Sequence, residues 1–291
     1  MMIYFAIVWI MFEGSSLTRR RVIWLTSTVL AGLPGLSPAL WAATPPKPKR
    51  KVVVLDPGHG GPDPGTIGLS GHYEKDVALA AAREIARRLA ATGRYRVLLT
   101  RSTDRYIALR DRVQRARAAR AELFISIHAD AHPNRATRGA SVYTLSEGAS
   151  DREAAVLATK ENKADVVAGV RFAPPPPDIT TILIELAQRD TINRSRMFAT
   201  LLLDSLGSSN IELLARSHRH AGFAVLTAPD TPAVLLEMGY LSNGQDERLL
   251  LSKSHQRRLA DALLDAVDRY FAGQAPIDAP PRALPTASKK A

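Results

Sequence analysis

From Lys51 onward, short apolar runs alternate with longer amphipathic stretches. Val52–Leu55 is continuously apolar, as expected of a strand buried on both faces. Glu74–Ala91 carries Val77, Leu79, Ala81, Ile85 and Leu89 at helical spacing. A second strand is predicted over Arg96–Arg101 and an Arg-rich amphipathic helix over Ile107–Arg120. Leu123–Ile127, Ala140–Leu145, Phe223–Leu226 and Ala233–Leu236 read as further strands, and Ser254–Phe271 as a closing helix. This alternation predicts a single α/β domain over residues 51–272, with a mostly parallel twisted sheet flanked by helices.

Residues 147–210 interrupt the alternation. They hold two predicted helices, Asp151–Val167 and Ile179–Leu206. Between them lies Pro174–Pro177, which is incompatible with a helix interior. A stretch this long inside a compact domain calls for a function, so it is read as a helical regulatory insertion.

The ends of the chain have a different character. Arg19–Arg21 precede a short apolar run, then Gly32, Pro34, Gly35 and Pro38, then small residues up to Ala43. This is the order of a secretory signal peptide, and the paired arginines resemble a twin-arginine signal. The Gly and Pro residues argue against a stable membrane anchor. The apolar run before the arginines suggests that Met11 is the true initiator. Residues 1–43 are therefore assigned to export, 44–50 to a Pro/Lys linker, and 273–291 to a disordered basic tail.

The formal net charge is +11, of which +9 lies beyond residue 43. This balance suits a polyanionic partner such as an acidic wall polymer. Nucleic acid is disfavoured, because the basic residues show no interleaved aromatic platform and the signal exports the chain. The absence of cysteine excludes disulfides, thiolate metal sites and a cysteine nucleophile.

His59 follows the first strand, Glu74 opens the first helix, and His128 closes the third strand. Two imidazoles and a carboxylate are a set that zinc uses when a fourth position stays open. Both histidines fall at strand carboxyl ends, where open α/β sheets bind ligands. Asp56 and Asp130 are candidates to orient the imidazoles, and Gly58, Gly60 and Gly61 to leave space around His59. Spacing alone leaves His72, His132, His218, His220 and His255 as competing ligands, with His132 read as a surface loop residue and His218 and His220 as solvated. Glu237, directly after an apolar strand, is placed to serve as a general base or to cap the next turn.

Five segments occur in a telling order: LDPGHGG at 55–61, YEKDVAL at 73–79, LLTR at 98–101, SIHAD at 126–130 and LLEMGYLSN at 235–243. With them the chain resembles the zinc-dependent N-acetylmuramoyl-L-alanine amidases from about Lys51 to Phe271. The resemblance implies Zn2+ bound by His59, Glu74 and His128, with Glu237 as the catalytic carboxylate. It implies hydrolysis of the amide between N-acetylmuramic acid and L-alanine of peptidoglycan, in the periplasm, during daughter-cell separation.

For the insertion, the resemblance implies an inhibitory helix whose Glu161 ligates the zinc, and a LytM-domain activator that displaces it. The apolar Thr180–Leu186 stretch is the candidate docking surface. Because the linker follows the signal directly, no separate wall-targeting domain is expected before the catalytic one, and a monomer is expected. The rival readings are a zinc carbohydrate deacetylase or peptidase, and a wall-binding module with a degenerate site.

Overall fold

The computed structural model describes residues 49–169 and 181–273, with the side chains of 181–188 left aside. The export signal, the Met11 start, most of the linker and the tail from Gln274 lie outside the described residues, as do the side chains of the candidate docking stretch. Among the described residues, no helix is long and apolar enough to cross a membrane.

Six strands form one sheet: β1 (Lys51–Pro57), β2 (Tyr95–Leu99), β3 (Leu123–His128), β4 (Ala140–Leu145), β5 (Leu213–Ala221) and β6 (Ala233–Glu237), in the order β2-β1-β3-β6-β4-β5. The sheet is mostly parallel, as the alternation predicts. The exception is β4, which pairs antiparallel with β6 and parallel with β5. The helices are α1 (Glu74–Ala91), α2 (Leu109–Ala118), α3 (Arg152–Asn162), α4 (Ala164–Val167), α5 (Thr181–Ser208), α6 (Gly244–Leu251) and α7 (Lys253–Ala272).

The continuous apolar strands are buried on both faces because two cores sandwich the sheet. Val53, Leu55, Ile125, Val234 and Leu236 face one core, which is shared with α1, α5 and α7. Val54, Phe124, Tyr143 and Leu235 face the other, shared with α2 and α3. The period-2 alternation of side-chain direction divides each apolar run between the two layers.

Three expectations need correction. Residues 147–210 are not one insertion. Phe198, Ala199, Leu202, Leu203 and Leu206 of α5 are buried in the main core, so only α3 and α4 stand apart from it. Phe223–Leu226 is not a strand. Its chain tightens into a 3-10 turn over Ala224–Leu226, and Phe223 plugs the second core against Tyr143 at 5.3 Å between centroids. Finally, β5 escapes prediction because its sequence is polar. It is an edge strand, and its backbone ladder with β4 does not depend on an apolar face.

Candidate metal centre

The parallel strands bring their carboxyl ends to one edge. There Pro57 pairs with Ile127, and His128 with Glu237. The segment after β1 folds back so that Glu74, the first residue of α1, lies beneath the two histidines. His59 adopts a left-handed φ of 58°. A non-glycine residue pays about 1–2 kcal/mol for this conformation, and its surroundings fix it there. Gly60 N–H donates to the Asp63 carbonyl at 2.9 Å, and Arg112 Nη2 donates to the His59 carbonyl at 2.9 Å.

His59 Nε2 and His128 Nδ1 each lie 3.1 Å from Glu74 Oε1. The three residues are buried, with their ligand atoms within 4.8 Å of one another. Glu161 of α3 completes the cluster, with Oε2 3.5 Å from His59 Nε2 and 3.3 Å from His128 Nδ1. Donors about 2.0–2.1 Å from a tetrahedral zinc sit about 3.3 Å apart. These four separations therefore fit that ion. His59 Nε2 makes no hydrogen bond despite its closeness to Glu74, leaving its nitrogen aimed at the centre of the cluster.

The ligands are held from outside. Asp63 Oδ2 lies 2.8 Å from His59 Nδ1. Glu74 accepts from Thr66 N–H at 2.9 Å and Ala129 N–H at 3.0 Å. Asp56 and Asp130 do not orient the imidazoles as expected. Asp56 accepts from Ser126 Oγ at 2.9 Å and Arg112 Nη1 at 3.0 Å, and Asp130 pairs with Lys160 and with Thr66 Oγ1.

The glycines also act differently from the expectation. A side chain at Gly58 would meet the His128 ring, and one at Gly65 would meet His59 and Glu74, whereas Gly60 and Gly61 lie against Arg105 and Tyr106. Replacing Asp63 by Asn should weaken metal affinity at this cluster by about 10–100-fold, as loss of such a partner typically does. Competition titration against a zinc chelator reads the change, and unaltered affinity would remove Asp63 from the site.

Electrostatics reflect the crowding of carboxylates. Burial alone would lower the His59 pKa, but Glu74 and Glu161 raise it well above its ordinary value. Burial opposes ionisation of Glu74, yet His59 and His128 hold its pKa well down. Burial raises Glu161. Glu237 is raised well above the usual range, by burial first and then by Glu74, Asp130 and Glu161. Its Oε2 accepts from Asp130 N–H at 3.0 Å, while Oε1 has no hydrogen-bond partner. Glu237 is thus a fixed, proton-seeking carboxylate beside the ligand cluster.

The structure brings together His59, Glu74, His128, Glu161 and Glu237. The rival histidines lie elsewhere. His72 is exposed against Ser70, His218 is exposed, His220 is half-buried on β5, and His255 is buried on α7. His132 is half-buried rather than a free surface residue, with its ring 5.7 Å from that of Tyr240.

Sequence reasoning misses Arg101, Arg112 and Asp63. Arg101 is fully buried and donates to the Pro57, Gly58 and Lys75 carbonyls, which explains the arginine of the LLTR segment. Arg112 shares a helix face with buried Ala116, a signal that was available. Asp63 lies one helical turn's spacing from His59, but in a loop, where spacing carries no such meaning.

The N-acetylmuramoyl-L-alanine amidase model Amidase_3 matches residues 53–269. AmiC, an N-acetylmuramoyl-L-alanine amidase of Neisseria meningitidis serogroup B, is 42% identical over 230 residues, which are 77% of this chain and 53% of that protein. AmiA of Escherichia coli K12 is 37% identical over 270 residues, covering 88% of this chain and 93% of that one. The chain thus spans about half the length of the Neisseria relative.

Among solved structures, the catalytic domain of the amidase CwlV from Bacillus (Paenibacillus) polymyxa var. colistinus superposes with TM-score 0.54 at 28% identity, over 76% of this chain and 98% of that one. AmiC2 of Nostoc punctiforme gives TM-score 0.54 at 26% identity, over 77% and 98%. With a family model spanning most of the domain and the ligand cluster at its sheet edge, the chain belongs to the Amidase_3 family of N-acetylmuramoyl-L-alanine amidases.

Proposed function

We propose that this chain is an exported, zinc-dependent N-acetylmuramoyl-L-alanine amidase of the periplasm. It hydrolyses the amide joining N-acetylmuramic acid to L-alanine in peptidoglycan, during daughter-cell separation. The observation that carries the reading is the convergence of His59, Glu74 and His128 beside Glu237 at one sheet edge. When bound there, zinc supplies carbonyl polarisation and acidification of water. The chain's own residues do the rest. Asp130 N–H fixes one oxygen of Glu237, and the other is free to take a proton from the attacking water and deliver it to the leaving amine.

The resting enzyme is autoinhibited in this reading. Glu161 occupies the side of the cluster that substrate needs, and α3 is held over it. Ala154, Leu157 and Ala158 pack into the second core, and Asn162 bridges the Gly222 carbonyl and Ala224 N–H, both at 2.8 Å. Release is assigned to a LytM-domain activator.

The test is digestion of purified peptidoglycan with product analysis. The expected products are intact stem peptides with a free L-alanine amino terminus, lost on chelation and restored by zinc. Release of acetate, or cuts within the stem, would replace this reading with a deacetylase or a peptidase. Binding without hydrolysis under activating conditions would leave a wall-binding module.

A further inference from the structure

Beyond the metal ligands, α3 makes a second ionic contact with the body of the protein. Arg219 of β5 is buried, and among the described residues both carboxylates it meets belong to the α3 region. Its Nη1 donates to Glu153 Oε2 at 2.9 Å, its guanidinium lies 3.6 Å from Asp151, and its Nε donates to the Arg216 carbonyl at 3.0 Å. The other oxygen of Glu153 lies 3.4 Å from His132 Nε2, on the loop after β3. One carboxylate is therefore gripped by two side chains of the body, from two separate elements. The grip opens into a cavity of about 780 Å³ lined by Thr66, His132, Lys160, Arg219 and Tyr240, which reaches the Asp130 side of the metal centre.

When α3 leaves, Arg219 loses both of the carboxylates it meets here, and its guanidinium is left to pair with another anion. Glu153 and Glu161 lie eight positions apart on α3, a rise of about 12 Å. An extended peptide covers that distance in about three to four residues. Glu161 stands at the candidate metal ligands and Glu153 lines the neighbouring cavity, a separation that one extended substrate could span.

We propose that Arg219 and His132 form a carboxylate subsite, covered here by Glu153, that receives an acidic group of the stem peptide about three to four residues from the scissile amide. This rests on the amidase reading. It adds a specificity determinant to that reading and treats α3 as a two-point substrate mimic.

The test measures binding of a stem tetrapeptide to the zinc-loaded full chain by calorimetry, which does not require turnover. The peptide is used with the carboxylates of its third and fourth residues free or amidated, and the chain carries Glu153→Ala together with Glu161→Ala, so that neither α3 carboxylate occupies the groove. The free-carboxylate peptide should bind about tenfold or more tighter, in keeping with one charge-assisted contact. Arg219→Gln in the same background should abolish the preference, while Arg219→Lys should retain part of it. His132→Ala, on a loop outside both cores, should lessen it.

Equal affinity for the two peptides with Arg219 present, or a preference that survives Arg219→Gln, overturns the subsite. Failure of the free-carboxylate peptide to bind the chain lacking both Glu153 and Glu161 carboxylates overturns it as well. Hydrolysis of the matching muropeptide is followed separately: if the chain cleaves it without carboxylate preference, the subsite fails while the amidase reading stands.

Discussion

Replacing Glu237 by Gln lowers turnover of peptidoglycan by about 10²–10⁴-fold, the range expected when a general acid–base group is removed. Zinc should stay bound, because Glu237 is outside the His59, Glu74 and His128 set. The substitution keeps the side chain's volume and an oxygen for Asp130 N–H, so the end of β6 retains its shape. It removes the capacity to accept and return a proton. Dye release from labelled wall, paired with metal content of the same sample, separates the two effects. Full turnover would exclude Glu237 from proton transfer. Loss of both zinc and turnover would instead make it part of the metal-binding framework.

Replacing Glu161 by Ala is expected to act in the opposite direction, raising activity measured without any activator. A charge-assisted contact contributes about 1.5–3 kcal/mol, so its removal shifts the closed-to-open ratio by about 10–100-fold. The gain falls short of full activation, since the apolar face of α3 and the Lys160 contacts with Asp130 and Thr66 remain. Basal turnover of the variant, compared with wild type at equal zinc content and with equal melting temperature, gives the answer. Unchanged basal turnover in a folded protein would argue that α3 covers the site without controlling it.

The sheet was legible because its strands are continuous apolar runs, a pattern that burial on both faces requires. His59, Glu74 and His128 stood out as candidates because they sit at the punctuation between elements (after β1, at the start of α1 and at the end of β3), but spacing left five other histidines open, and the family resemblance singled out the set. What lay outside these signals was missed for physical reasons. β5 earns its place through backbone pairing, so Leu213–Ala221 looked like polar loop. The role of α5 was misassigned because its apolar half, from Phe198 to Leu206, follows a proline run that marked the whole region as foreign. Asp63, Arg101 and Arg112 act on backbone carbonyls and ring nitrogens across the fold, and such partners have no fixed separation in sequence.

The assignment of α5 to the core bears on how inhibition is reversed. In the chain, α3 and α4 lie between β4 and α5, both of which contribute residues to the main core. A ligand tethered in this way acts at an effective concentration on the order of millimolar. Its return therefore does not depend on protein abundance or on finding a partner by diffusion. Under the proposed autoinhibition, an activator would have to keep the helix occupied for as long as cutting is needed, and the enzyme would reset once it dissociates. On that reading, wall cleavage would be confined, in time and place, to sites where the activator is present.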